Sequence, residues 1–187
     1  MQVPSFNDIQ QERLKLFEMI EVRWESNIVF SWEWWLLIIL CFLPWFAWWK
    51  VLNRNNALPI LFYGLIIMLG NLILDNIGTD LLWWGYPIKL FPFFPPLFTP
   101  DFTIVPILMM LIYQRYQSFK SFLIANFILS LIIALIGEPL FIWLGYYELG
   151  SWKLIYSIIY YNLFGLFAKW FTQYMANLYE NQNKPSP

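Results

Sequence analysis

Polar and apolar positions divide the chain into a polar beginning, a series of long apolar runs and a polar end. Between residues 5 and 24, Phe6, Ile9, Phe17, Ile20 and Trp24 recur at helical spacing, with Glu12, Arg13, Lys15, Glu18 and Glu21 mostly on other faces. That pattern predicts an amphipathic helix lying on a membrane or on a partner. It lacks the basic-then-apolar order of a signal peptide. Apolar runs follow at residues 32–49, 58–76, 101–116, 119–144 and 152–174. As a helix the first covers roughly 27 Å, close to a hydrocarbon core of about 30 Å. Short polar turns around Lys50, Arg54, Arg115 and Lys120 separate the runs.

Residues 78–100 break the pattern. Trp83, Trp84, Tyr86, Phe91, Phe93, Phe94 and Phe98 alternate there with Pro87, Pro92, Pro95, Pro96 and Pro100. Prolines forbid a continuous helix, and bare backbone cannot face lipid tails. The segment is expected at the interface or folded back over the helices as a lid. Asp101 is expected to cap the third span, Pro44 to kink the first, and Gly137-Glu138-Pro139 to break the fourth. The expected architecture is an all-α integral membrane bundle of about five transmembrane helices, with the aromatic loop between spans two and three. Its boundaries fall at 1–30 for the amphipathic segment, 31–176 for the bundle and 177–187 for the tail.

Composition supports lipid as the solvent, because 60% of the 187 residues are hydrophobic and only 12% charged, against about 25% charged in soluble domains. A net charge of -1 offers no basic face, so nucleic acid is not an expected partner. The chain has no histidine, and Cys41 is its one cysteine. Histidine-based proton transfer, Cys–His nucleophiles and the usual zinc sites are therefore ruled out. No metal or other cofactor is expected, although a magnesium or calcium ion on carboxylates stays open. Part of the 22% aromatic content is interfacial anchoring, as at Trp32, Trp34, Trp35, Trp45, Trp48 and Trp49.

With five spans, Lys50, Arg54, Arg115, Lys120, Lys169 and Lys184 share one side, and the opposite loops carry Lys89 and Lys153. The positive-inside rule then places the N-terminus outside and the C-terminus in the cytoplasm, at the plasma membrane. Glu33, Asp75, Asp80, Asp101, Glu138 and Glu148 fall in the outer layer. Capping or solvation accounts for most of them. Asp75 and Glu138 stand within apolar helix sequence, where a charge costs about 3 kcal/mol and usually marks function. An acid among aromatic faces has the chemistry to protonate an isoprenoid and to stabilise the resulting cation. The same set would also bind a lipid or a cationic molecule without reaction. The candidate catalytic residues are Glu138, as the acid, and Asp75, as its partner. The candidate pocket adds Asn71, Asn76, Asp80, Trp83, Trp84, Tyr86, Asp101 and Tyr146. Asn126 and Asn162 are expected to hydrogen bond between helices, and Gly64 and Gly70 to permit close packing.

The run Trp84-Gly85-Tyr86-Pro87, Phe91-Pro92, Asp101, Pro106, Tyr113-Gln114, Ser121 to Asn126, Gly137-Glu138-Pro139-Leu140 and Trp152-Lys153 resembles an uncharacterised family of small multi-pass membrane proteins from Bacillus-like and clostridial spore formers. The resemblance covers the C-terminal two-thirds of the chain and implies a Gram-positive membrane and about five spans, with no activity attached. A looser similarity to compact membrane terpene and carotenoid cyclases implies acids among aromatic helices. The expected partners are membrane lipids, a lipid or isoprenoid ligand, and a second copy or a partner membrane protein. Two other readings stand beside the pocket: a non-enzymatic subunit docking a partner protein, and a transporter for a cation or small solute.

Overall fold

The computed structural model describes residues 3–92 and 98–182, almost wholly helical. Helix α1 (Phe6–Arg23) begins with a reciprocal cap, in which Asp8 N–H donates to Ser5 Oγ at 3.2 Å and Ser5 N–H donates to the Asp8 carboxylate at 2.8 Å. These bonds, the Ser5 hydroxyl first, hold the Asp8 carboxyl below its usual range. No residue of α1 is buried. The helix runs into a wide π turn, Trp24–Ile28, whose Trp24 Nε1–H donates to the Lys89 carbonyl at 3.1 Å. Phe30 then adopts a left-handed φ of 65°, and Ser31 caps α2 (Trp32–Val51).

Helix α3 (Ala57–Asp80) follows a short 3-10 turn, Arg54–Asn56. Helix α4 (Val105–Arg115) is entered through a π turn at Pro100–Ile104. Helix α5 (Phe119–Trp143) is a single apolar rod with a π turn at Ile133–Gly137, and α6 (Leu154–Gln182) closes the bundle. Helix α6 continues eight residues beyond the expected end of its apolar run, into the first part of the polar tail. Among the described residues, α2, α3 with its 3-10 turn, α5 and α6 are long and apolar enough to cross a membrane. Helix α4, with 11 residues behind a five-residue π turn, is shorter than these. Helix α2 runs through Pro44 without interruption.

The helices alternate in direction, so the loops gather at two ends. At one end Gln114 Nε2–H donates to the Val51 carbonyl at 3.1 Å, and Lys169 Nζ donates to the carbonyls of Tyr116 and Gln117 at 2.9 and 3.2 Å. At the other, Trp34 Nε1–H donates to the Leu90 carbonyl at 3.0 Å, and residues 84–85 pair with 148–149. Lys50, Arg54, Arg115 and Lys120 share the first end; Glu33, Asp75, Asp80, Asp101, Glu138 and Glu148 share the second.

The main core lies toward the basic end, where Tyr63 stacks on Tyr113 with centroids 4.4 Å apart, beside Phe122 and Met110. Gly64 leaves the space that Met110 fills, and Gly70 the space for the Phe164 ring. Asn126 Nδ2–H donates to the Asn162 carbonyl at 3.0 Å, tying α5 to α6. Large apolar side chains cover the outside, Trp143 at 80% exposure among them. A bundle with an apolar outside and rods of this length has the build of a membrane protein.

Candidate functional site: an acidic and aromatic cavity

At the acidic end a cavity of about 220 Å³ opens between α3, α4, α5 and α6. Its walls are aliphatic, from residues such as Leu74, Ile104, Val105, Leu108 and Ile133, and aromatic in equal measure, and among the described residues they include three carboxyl groups and no basic side chain. Ile132 and Ile136 line it while remaining 46% and 61% exposed. The α5 wall therefore also forms part of the outer surface.

Each carboxyl comes from a different helix. Asp75 sits in the penultimate turn of α3, buried, and accepts hydrogen bonds from Trp84 Nε1–H at 3.0 Å and from the Tyr86 hydroxyl. Asp101, in the π turn before α4, is buried and hydrogen-bonded to Asp75. Glu138 follows the π turn of α5, and its Oε2 accepts from Ser157 Oγ–H at 3.1 Å. Ser157 Oγ in turn accepts from Trp152 Nε1–H at 2.8 Å. Beside the acids, Asn71 is 4% exposed; its Oδ1 accepts from the Tyr160 hydroxyl at 3.2 Å, and its Nδ2 has no hydrogen-bond partner among the described residues.

Local sequence sets these positions. Pro106 and Pro139 lack an N–H and cannot close an ordinary helical turn behind them. A π turn precedes each, at Pro100–Ile104 and Ile133–Gly137. The added residue rotates the side chains that follow relative to the regular helix, a common device at functional sites. Thr99 and Thr103, four residues apart, each donate a hydroxyl to α2, to the carbonyls of Leu37 and Cys41 at 3.3 Å. Asp101 lies between them and so faces the opposite way, into the cavity.

The chain after α3 covers the acidic end. Strand β1 (Trp84–Gly85) pairs antiparallel with β2 (Glu148–Leu149), and the N–H groups of Gly150 and Trp152 donate to the Trp83 carbonyl at 2.8 and 3.2 Å. Gly150 is required there, since a Cβ would meet the carbonyls of Leu82 and Trp83. Trp84 packs edge-on to Trp152 at 4.7 Å, and Tyr86 stacks on Tyr147 at 5.5 Å. Burial, and secondarily the negative charge of Asp75, pushes the Tyr86 phenol well above its ordinary pKa. Burial also pushes Tyr147 up, so both rings keep their O–H groups at neutral pH. Burial lowers the Lys89 ammonium from its ordinary value, and attraction to Asp75 opposes that shift.

Of the residues singled out from sequence, Asn71, Asp75, Trp84, Tyr86, Asp101 and Glu138 line this one cavity. Four do not. Asn76 is exposed and donates to the Leu72 carbonyl at 2.7 Å. Asp80 is exposed at the end of α3. Trp83 stacks on Trp152 behind the cavity wall. Tyr146 is buried against Leu37, Cys41 and Leu90, its hydroxyl donating to the Glu33 carbonyl at 2.9 Å. The next residue, Tyr147, lines the cavity in its place. Asp101 is not a helix cap: no side chain caps that turn. Residues 78–80 belong to α3, and Phe93, Phe94, Pro95, Pro96 and Lys184 lie outside the described residues.

Ser157, Trp152, Tyr160 and Tyr161 also line the cavity and were not singled out beforehand. Two tyrosines within an apolar run were the available signal, since a buried phenol needs a partner. Among the described residues no three His, Cys, Asp or Glu side chains gather closely enough to hold a metal ion. Comparison with protein-family models, curated proteins and solved structures finds no match, which leaves the geometry of the cavity to carry the functional reading.

Proposed function

We propose that the cavity binds a small, largely apolar molecule of lipid or isoprenoid type and acts on it as an acid. The observation that carries this reading is that Asp75, Asp101 and Glu138, from three helices, line one aliphatic and aromatic cavity whose described walls hold no basic side chain. Three carboxyls in the walls, against a Lys89 ammonium that lies outside them and is drawn to Asp75, favour a partner that brings or develops positive charge. The exposed Ile132 and Ile136 support lateral access from lipid.

Roles follow from hydrogen bonding. Asp75, with one N–H and one O–H donor, is suited to holding negative charge. Glu138, with the single donor Ser157 against two for Asp75, is the less stabilised as a carboxylate and so the better suited of the two to hold a proton. In the proposed step Glu138 transfers that proton to an alkene carbon, forming a C–H bond and leaving a carbocation and a carboxylate. Aromatic faces of Tyr147, Tyr161 and Trp152 and the Asp75–Asp101 pair stabilise the cation. Loss of a proton from an adjacent carbon to the Glu138 carboxylate closes the cycle, for a net isomerisation or cyclisation.

For topology, we place α4 as a fifth, short span, with the basic end in the cytoplasm and the acidic end outside, in a plasma membrane. The gathering of Lys50, Arg54, Arg115 and Lys120 at one end supports that orientation. The test of function is mass spectrometry of organic extracts from cells making wild type, Asp75→Asn, Asp101→Asn or Glu138→Gln at matched levels. A lipid species made with wild type and lost in Glu138→Gln is the expected result. Identical extracts from four folded proteins would remove the enzymatic reading. The absence of any basic side chain from the described walls also favours a second reading, in which the cavity holds a cationic amphiphile without reacting with it.

A further inference from the structure

The carboxyls explain where positive charge would sit in the cavity, but not what orients the ligand. Asn71 supplies the missing element. It projects from α3 one turn before Asp75, is 4% exposed, and lines the cavity wall. The Tyr160 hydroxyl occupies its Oδ1 at 3.2 Å, and that bond fixes which half of the amide is turned away from Tyr160. The remaining half is Nδ2, a two-hydrogen donor buried without a partner among the described residues. Leaving such a donor unmade is costly, whereas a ligand acceptor placed against it recovers the loss. No described polar group, the carboxyls of Asp75, Asp101 and Glu138 included, accepts from it.

We infer that Asn71 is the specificity-determining donor of the cavity and receives an uncharged oxygen of the ligand. The ligand class is then an apolar alcohol or carbonyl compound rather than a bare hydrocarbon. An anionic head group fits less well, because three carboxyl groups share the walls and, among the described residues, no lysine or arginine does. This inference rests on the cavity being a ligand site, as proposed above, but not on any reaction taking place there.

The experiment is equilibrium binding to the full chain in lipid nanodiscs, with empty discs subtracted. Three ten-carbon probes share a skeleton: geraniol, 2,6-dimethyl-2,6-octadiene, and geranylamine. Wild type is expected to bind the alcohol on the order of tenfold more tightly than the hydrocarbon. In Asn71→Leu, which keeps the volume and removes the donor, that preference is expected to vanish while hydrocarbon binding persists. Asn71→Asp, which keeps the acceptor for Tyr160 and removes the N–H, is expected to lose the alcohol preference and gain affinity for the amine. Equal binding of alcohol and hydrocarbon by wild type, or an alcohol preference that survives in both variants, would overturn the role of Asn71 while leaving the cavity a ligand site. Binding of none of the three probes by folded wild type would overturn both readings together.

Discussion

Removing a single oxygen tests the electrostatic core of the site. Tyr86 and Tyr147 stack face to face across the two loops that cover the cavity, with centroids 5.5 Å apart and planes 24° from parallel. Their rings have similar surroundings, but only the Tyr86 hydroxyl donates to Asp75. In Tyr86→Phe the stack survives and Asp75 keeps Trp84 as a donor, at 3.0 Å. One hydrogen bond to a charged group is lost, worth about 1.5–3 kcal/mol. That corresponds to a roughly ten- to hundredfold fall in the folding equilibrium constant. Tyr147→Phe removes a hydroxyl to which no such bond is assigned and is expected to cost less than about 0.5 kcal/mol. The assay is equilibrium unfolding in mixed micelles with increasing denaturing detergent, followed by tryptophan fluorescence and circular dichroism. Equal stability of Tyr86→Phe and wild type, or an equal loss in both variants, would refute the reasoning.

Three further outcomes follow from the packing and the charges. Gly70→Ala should destabilise the bundle by about 1–3 kcal/mol because the new Cβ meets the Phe164 ring, whereas at Gly137 the nearest atom is 3.9 Å away and alanine should cost almost nothing; the same unfolding assay separates them. Lys169→Met should cost about 2 kcal/mol by removing the donor to the carbonyls of Tyr116 and Gln117, with the thermal midpoint as the readout. Burial pushes the Tyr146 phenol up to about 12, so its contribution is complete below the ordinary value of about 10 and is lost as pH rises between the two; Tyr146→Phe should show a flatter fall in stability across that window.

The long apolar runs were legible because a helix of 18 or more apolar residues can be solvated only by lipid or by other helices. Pairing short loops with alternating helix direction also made the separation of acids from bases legible. Asp75 and Glu138 stood out for the cost of placing ionisable groups in apolar helices, and Asn71 entered only as a neighbour of Asp75 on the same helix. What stayed hidden depended on contacts between distant segments. Asp101 reads locally as a cap, and only the hydroxyl bonds of Thr99 and Thr103 to α2 turn it inward. Lys169 reads as a charge near a helix end, yet it is fully buried over the rings of Tyr113 and Phe122, at 5.2 and 4.4 Å, because the end of α4 offers it two carbonyls. Tyr146 is drawn away from the cavity by its packing on Leu37, Cys41 and Leu90 and its bond to the Glu33 carbonyl, and Tyr147 lines the cavity instead. Sequence spacing also suggested pairing Asp75 with Glu138, whereas the fold joins Asp75 to Asp101 and gives Glu138 to Ser157.

The most direct test of the central claim is an experimental density map of the protein purified from its own membrane into lipid nanodiscs without added ligand. The account predicts non-protein density between Asp75, Asp101 and Glu138, with its nearest atom within hydrogen-bond distance of Asn71 Nδ2. A cavity filled by the protein's own side chains, or one in which the three carboxyls point to separate surfaces, would contradict it.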